Sequence, residues 1–392
     1  MRRSVSTVLF TLAVLAVPAV VVTAQSKEPV KIGLTAAVSG GSAASGEAIK
    51  RGLEIAIEEI NAKGGVLGGR PLRLVVRDDE GQPAKGVTIA RELGEREKGG
   101  AGSGGLHPPV PLAQVAVGQE LKTPYMGAWA AGTNITRNGQ TPNYVFRVTA
   151  NDDDADRFLT RYATDVLRKG KPGLLLENTS WGQSNEAGLT KWLGAKGLKA
   201  VGIEKFNWGD PDMSPQLLRL KGAGADHVVL VANAPEGAQV VKSRAKIGWE
   251  IPMVSHWGIS GGRFAELTGD LSDGVAFLQT YSFFGKQNER GEYVLKMLKE
   301  KYGVKGPEDV IAPVGTANAY DGAHLVAMAI EQAGSSDGAK VRDALENLGA
   351  EYKGLIKTYR KPFTAEQHDA LNDGDYIMVV WKAGKIVPLA AK

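Results

Sequence analysis

From residue 30 onward the chain alternates short apolar runs with longer amphipathic ones, and this rhythm limits the fold more than any other feature. Val30-Lys31-Ile32-Gly33-Leu34-Thr35 reads as a strand. Residues 48–63 follow with Ile49, Leu53, Ala56, Ile57 and Ile60 at helical spacing, and Gly64-Gly65 ends that helix. A strand over 72–77 closes on Asp78-Asp79, and a helix is predicted over 83–98. The rhythm restarts after residue 150, with helices predicted at 153–169, 182–196, 215–223 and 236–247. Strands fall between them at 173–177, 200–206, 227–232 and 252–255. Helices return at 289–302, 314–332 and 338–348, before a hairpin of 376–381 with 386–389 around Ala383-Gly384. Strands and helices of these lengths, in alternation, form a parallel sheet covered by helices. The reading is therefore α/β, in two doubly wound blocks with a seam near Arg147-Val148-Thr149. A length of 392 residues accommodates them.

Composition narrows the function classes. There is no cysteine, which removes disulfides, thiolate nucleophiles, iron–sulfur clusters and cysteine zinc sites together. The net charge of +4 (47 − 43) is spread along the chain and too weak to point to nucleic acid. The 50 glycines are nearly twice the usual ~7% share. Five of them crowd the stretch Gly99-Gly100-Ala101-Gly102-Ser103-Gly104-Gly105, where the rhythm calls for an apolar strand. Glycine loses the most entropy on ordering and packs nothing, so any strand here is expected to be weak.

The first 24 residues read as an export signal. Arg2 and Arg3 precede an uncharged apolar stretch from Val5 to Val22, and Val22-Thr23-Ala24 places small residues for cleavage before Gln25. A retained membrane anchor is the alternative, since the stretch approaches spanning length. No cysteine follows to carry a lipid. The mature chain is expected to be exported.

Short catalytic patterns occur but lack their settings. Gly100, Gly102 and Gly105 form a GxGxxG without a preceding apolar strand or a following helix start, since His107-Pro108-Pro109 comes next. Gly258-Ile259-Ser260-Gly261-Gly262 satisfies GxSxG between a predicted strand and a predicted helix at 263–267. A serine hydrolase at Ser260, with His324 or His368 as base, is thus an alternative of another class, though no oxyanion loop accompanies it. The five histidines are scattered, and Asp152-Asp153-Asp154 with Asp156 lack calcium-loop spacing. Acids at a helix start suit the macrodipole instead. Neither a metal nor a cofactor is expected.

The tryptophans are more informative. Trp129, Trp181 and Trp257 each sit among small residues next to a predicted strand end, where doubly wound folds bind ligands. Indoles there can wall a pocket for a planar or apolar ligand, or simply pack in the core. A helix beginning after Thr133-Asn134 or at Gly182 would direct free amides toward the same place, which favours a carboxylate.

A series of short motifs runs along the whole mature length, beginning with Val30-Lys31-Ile32-Gly33, Ser39-Gly40, Gly46, Ala48, Gly52, Ala56 and Glu59-Ile60-Asn61. It continues through Gly64-Gly65-Val66-Leu67-Gly68-Gly69-Arg70, Gly104-Gly105-Leu106-His107-Pro108-Pro109-Val110 and residues 124–134. Phe146-Arg147, Trp181-Gly182-Gln183, Gly222-Ala223-Gly224-Ala225-Asp226 and Ala319-Tyr320-Asp321 complete it. In the order and spacing of these motifs the sequence resembles the periplasmic solute-binding proteins of ABC importers, in the branched-chain amino acid (Leu/Ile/Val-binding) class. The resemblance implies the type I fold, two lobes joined by three crossovers and closing on a ligand. The lobes would comprise 27–147 plus 283–354 and 150–277 plus 362–392, with crossovers near 147–150, 277–282 and 355–362. The implied ligand residues are His107, Trp129, Ala131, Gly132 and Thr133 from the first lobe, and Trp181, Asn233 and Trp257 from the second. Ser45 and Tyr281 are secondary candidates. The implied partners are a small-molecule ligand and a membrane permease, with no nucleic acid; the protein is expected to be a monomer and not an enzyme.

Two departures bear on the ligand. Where amino-acid binders of the class place an acidic residue for the ammonium, this chain has Trp257 or its neighbours; where they often place tyrosine, it has Trp181. Both favour an aromatic or short aliphatic carboxylate over an amino acid. An amino acid, or the sensor lobe of a signalling receptor, are the alternatives within the same fold.

Overall fold

The computed structural model describes residues 27–96, 100–261 and 263–389. The expected export signal lies outside them. In the first lobe, strands β1 (Val30–Ala36), β2 (Leu72–Asp78), β3 (Ala101–Gly104), β4 (Tyr125–Gly127) and β5 (Val145–Arg147) form one parallel sheet in the order β2-β1-β3-β4-β5. The second sheet begins with β6 (Pro172–Glu177), β7 (Gly202–Phe206), β8 (His227–Val231), β9 (Met253–Ser255) and β10 (Ala276–Gln279). After a small hairpin of β11 (Tyr352–Lys353) and β12 (Thr358–Tyr359), β13 (Ile377–Lys382) and β14 (Lys385–Pro388) add to its edge. Its order is β14-β13-β10-β9-β8-β6-β7, and only the β13 and β14 pairings are antiparallel. Among the described residues, no helix is long and apolar enough to cross a membrane.

The sequence predicts most helices to within two residues and misjudges a few for physical reasons. The first helix is Ala43–Ala62, starting five residues early, because Ala43-Ala44-Ser45-Gly46-Glu47 shows no apolar periodicity. Its start is pressed onto the end of β1: a Cβ on Gly46 would lie 2.0 Å from the Ala37 carbonyl oxygen. The helix expected over 153–169 is Asp152–Arg161 followed by a widened turn, Tyr162–Val166. Asp152, Asp153 and Asp154 do occupy its first turn, but Asp156 is fully buried with neither oxygen hydrogen-bonded. The macrodipole therefore does not explain Asp156. Burial holds its carboxyl well above the usual range, and the charges of Asp152 and Asp153 add to that. The helix Pro109–Glu120 was not expected, since Pro108, Pro109 and Pro111 disguise it. Proline is tolerated there because the first turn needs no internal amide donors.

The glycine run does form a strand. β3 pairs with β1 and β4, and Gly102 lies opposite Gly33 on one side and Tyr125 on the other. The Tyr125 ring covers Gly102, with Cδ2 3.4 Å from where a Cβ would be. A cavity of about 50 Å³ remains between this strand and the helices Pro83–Glu95 and Pro109–Glu120.

The chain passes between the sheets after β5, after β10 and before β13. The first and last passages are knotted together by a buried ion pair. Arg147 Nε donates to Asp369 Oδ1 at 2.7 Å, and Asn151 Nδ2 donates to Asp369 Oδ2 at 2.8 Å. The Arg147 amide donates to the His368 carbonyl, and the Ala370 amide to that of Arg147. Burial tends to raise the Asp369 carboxyl, yet the Arg147 charge and the hydrogen bonds hold it below its usual range.

Candidate functional site

The lobes meet at the carboxyl ends of their strands. Trp129 follows β4 and Trp257 follows β9, and both are buried. Their ring centroids stand 6.0 Å apart at 50°, a tilted aromatic pair across the seam. Two glycines make room for Trp129: Cβ atoms on Gly315 and Gly261 would lie 3.1 and 3.5 Å from its ring. Ser45 meets the second lobe at the same place, since a Cβ on Gly261 would fall 1.7 Å from its Oγ.

Trp181 lies deeper in the second lobe. It is in the first turn of the helix Ser180–Ala195, capped by Thr179, and packs with Leu174, Leu176, Leu189, Val229 and Val231. Its Nε1 donates to Asp152 Oδ1 at 3.1 Å, and its ring stands edge-on to His256 at 5.1 Å. His256 Nδ1 accepts from the Trp257 amide at 2.9 Å, and its Nε2 is 3.2 Å from Asp152 Oδ1 but off the line of a hydrogen bond. Trp181 thus supports the turn carrying Trp257 from behind. Gly258 permits this, because a Cβ there would lie 2.8 Å from the Trp181 ring.

The loop after Trp129 is fixed through its backbone. The Ala131 carbonyl accepts from the Asp152 amide at 2.8 Å, and the Gly132 carbonyl from Arg147 Nη1 at 3.0 Å. The Thr133 amide donates across the seam to Ser184 Oγ at 3.1 Å, while its Oγ1 accepts from the Asp153 amide at 3.2 Å. The Thr133 amide therefore has a hydroxyl from the opposite lobe as its acceptor. Beside it opens a cavity of about 490 Å³, lined by Pro108, Leu112 and Thr133 on one side and Ser180, Gln183 and Ser184 on the other. That volume lies within the ~300–1,000 Å³ usual for small-molecule sites.

His107 and Asn233 mark another part of the seam. His107 Nε2 lies 3.1 Å from Ser42 Oγ, and its ring stands 5.3 Å from that of Trp208, in the second lobe. Burial pushes its pKa down to about 4, so it is neutral at physiological pH. Asn233 Nδ2 donates to Glu177 Oε2 at 3.1 Å. Tyr281 is placed elsewhere, with its hydroxyl on Gln287 and its ring against Phe283. Sequence pattern alone does not mark Glu177, His256, Ser184 or Trp208 as site residues, and it accounts for Asp152 only as an acid at a helix start. The signal for Glu177 was a charged residue closing an otherwise apolar strand.

Ser260 does not sit in a nucleophile elbow. It lies in the short 3-10 turn Trp257–Ser260, fully buried, and its Oγ has no hydrogen-bond partner. His324 contacts Glu59, and His368 contacts the Val145 carbonyl and Glu346, so neither is engaged as its base.

Two α/β lobes, three chain passages between them and a seam built from strand ends define a two-lobed molecule of the binding-protein class. The chain belongs to the periplasmic binding protein family, whose model, so described, matches residues 29–385. It is 27% identical over 357 residues to the Leu/Ile/Val-binding protein homolog 2 of Brucella abortus (strain 2308), covering 91% of each chain. Among solved structures, it is similar to the periplasmic binding protein type 1 from Bordetella pertussis Tohama I, with a TM-score of 0.84 and 24% identity. The match covers 92% of this chain and all of that one. An ABC transporter solute-binding protein from R. palustris, solved with 4-hydroxybenzoate, gives a TM-score of 0.77 at 20% identity over 93% and 96% of the two chains. The type I fold and the family read from the sequence are thereby shown.

Proposed function

We propose that this protein captures a small aromatic or short aliphatic carboxylate between its lobes and delivers it to an ABC permease, acting in the periplasm as a monomer. The lobes that close would be 27–147 plus 283–354 and 150–277 plus 362–392. One observation carries the ligand class: Trp257 faces Trp129 across the seam, and by the family resemblance it stands at or beside the position where amino-acid binders would hold an ammonium with an acidic residue. Indoles would cover the apolar body, and the Thr133 amide would exchange Ser184 Oγ for the ligand carboxylate. Burying ~100–150 Å² of apolar ligand surface yields roughly 3 kcal/mol at ~25 cal/mol per Å². Micromolar affinity requires about 8 kcal/mol, so polar anchoring must contribute the remainder. The 4-hydroxybenzoate complex of the R. palustris protein supports this reading at the level of fold. The Leu/Ile/Val-binding relative supports the second reading, capture of a branched-chain amino acid. No catalytic step is proposed.

Thermal-shift measurements across leucine, isoleucine, benzoate, 4-hydroxybenzoate, phenylpropanoids and 2-oxo acids separate the two. We expect stabilisation by one or more of the aromatic or oxo acids. A response to leucine alone would refute the role given to Trp257.

A further inference from the structure

The second lobe holds a carboxylate in an unusual position. Glu177 ends β6 fully buried, and among the described residues no basic side chain is paired with it. One oxygen, Oε2, accepts from both Trp208 Nε1 and Asn233 Nδ2, each at 3.1 Å. The other, Oε1, accepts from Thr179 Oγ1 at 2.7 Å.

Both donors on Oε2 belong to segments that touch the first lobe. The Trp208 ring lies against His107, whose Nε2 is held by Ser42 Oγ. Asn233 precedes the helix Ala234–Lys246, and Pro235 in its first turn packs on Gly41, where a Cβ would lie 3.0 Å from Pro235 Cγ. Gly41 and Ser42 belong to one turn, Gly40–Ser42. A closed circuit therefore runs from this turn through His107, Trp208, Glu177, Asn233 and Pro235, and returns to it.

We propose that Glu177 is a positioning residue: one of its oxygens, Oε2, fixes both segments by which this wall of the second lobe meets the first. The proposal deepens the ligand-capture reading and rests on it for its effect on affinity. Removing the carboxylate would leave three donors without their acceptor, the buried Asn233 Nδ2 and the partly buried Trp208 Nε1 and Thr179 Oγ1. Protonating it would weaken both bonds together, because hydrogen bonds to an ionised acceptor are roughly twice as strong as neutral ones.

The surroundings place that protonation near neutrality. Burial raises the Glu177 carboxyl, and the Glu236 charge adds to this. Hydrogen bonds from Thr179, Trp208 and Asn233 oppose them, and the balance stands at about 7. The other charged groups nearby are engaged differently. His107, across the seam, is neutral; Asp210, on the Trp208 loop, accepts from the Asn207 amide; Lys205 on β7 pairs with Glu186. Glu236 accepts from the Gly209 amide, and its own carboxyl is raised by burial.

The test uses the full mature chain with Glu177→Gln, Glu177→Ala and Trp208→Phe. The Trp208 contribution to the emission, taken as the difference from Trp208→Phe, is followed from pH 5 to 9 without ligand. We expect a titration with a midpoint near 7 in the wild type and a flat trace in Glu177→Gln. Calorimetry with 4-hydroxybenzoate and with leucine then reads affinity. For whichever probe binds, we expect a loss of about tenfold or more in Glu177→Ala and a smaller loss in the near-isosteric Glu177→Gln. An unchanged titration in Glu177→Gln, or unchanged affinity in Glu177→Ala, overturns the assignment. If neither probe binds the wild type, the ligand reading fails, and the Trp208 titration alone decides the role of Glu177.

Discussion

β3 and β8 occupy similar places, each flanked by parallel strands on both sides, yet they are built from opposite materials. β8 is His-Val-Val-Leu-Val, with all five residues buried. Val228 and Leu230 pack into one apolar cluster, while Val229 and Val231 pack into another on the opposite face. β3 is Ala-Gly-Ser-Gly, and only Ala101 joins an apolar cluster. Its backbone ladder is nonetheless complete along four residues with β1 and three with β4. Strand identity can therefore come from neighbours, but core density cannot. The cavity of about 50 Å³ beneath β3 corresponds to roughly 1 kcal/mol at ~24 cal/mol per Å³.

The contrast can be broken from either side. Making β8 resemble β3 by Leu230→Gly should have the largest effect, a loss of about 4 kcal/mol, from the cavity and the added chain entropy. Urea unfolding would measure it, and a loss below about 1 kcal/mol would show that β8 too relies on its neighbours. Within β3 the glycines are not equivalent. Gly104 has φ +115°, and a Cβ on it would sit 2.4 Å from the Thr35 carbonyl oxygen, so Gly104→Ala should cost about 2 kcal/mol. Native-state hydrogen exchange should find β3 amides exchanging roughly tenfold or more faster than those of β8, because local opening follows packing density. Equal protection would remove the weakness assigned to β3. The smallest change should be a gain. Gly102 is not in the left-handed region, and its Cβ would meet only ordinary contacts, so Gly102→Ala should stabilise by about 0.5–1 kcal/mol. A lower urea midpoint in that variant would count against the cavity as the cause.

These same elements show what the sequence discloses. β8 is legible because an unbroken branched run has few other uses, and β1 and β2 for similar reasons. β4, β5 and β10 are three or four residues long and carry no period of their own. They exist because longer strands offer them partners, which local pattern cannot reveal. At the seam, the indoles were visible because they stand out among small residues. Their division of labour was not: Trp129 and Trp257 meet across the lobes, whereas Trp181 braces the Trp257 turn through Asp152 and His256. That distinction depends on residues far apart in the chain. So does the double use of Glu177 Oε2, since Trp208 and Asn233 are 31 and 56 positions beyond it.

The ion pair of Arg147 and Asp369 spans 222 positions, and this separation has a consequence for the order in which the molecule becomes whole. A polypeptide is made from its amino end, so Arg147 and its neighbours exist long before Asp369 does. Any product that stops short of residue 369 would have to bury a guanidinium with no counter-charge, a penalty on the order of 3–5 kcal/mol. Completion of the carboxyl-terminal stretch is thus built into the connection between the lobes, which discriminates finished chains from fragments.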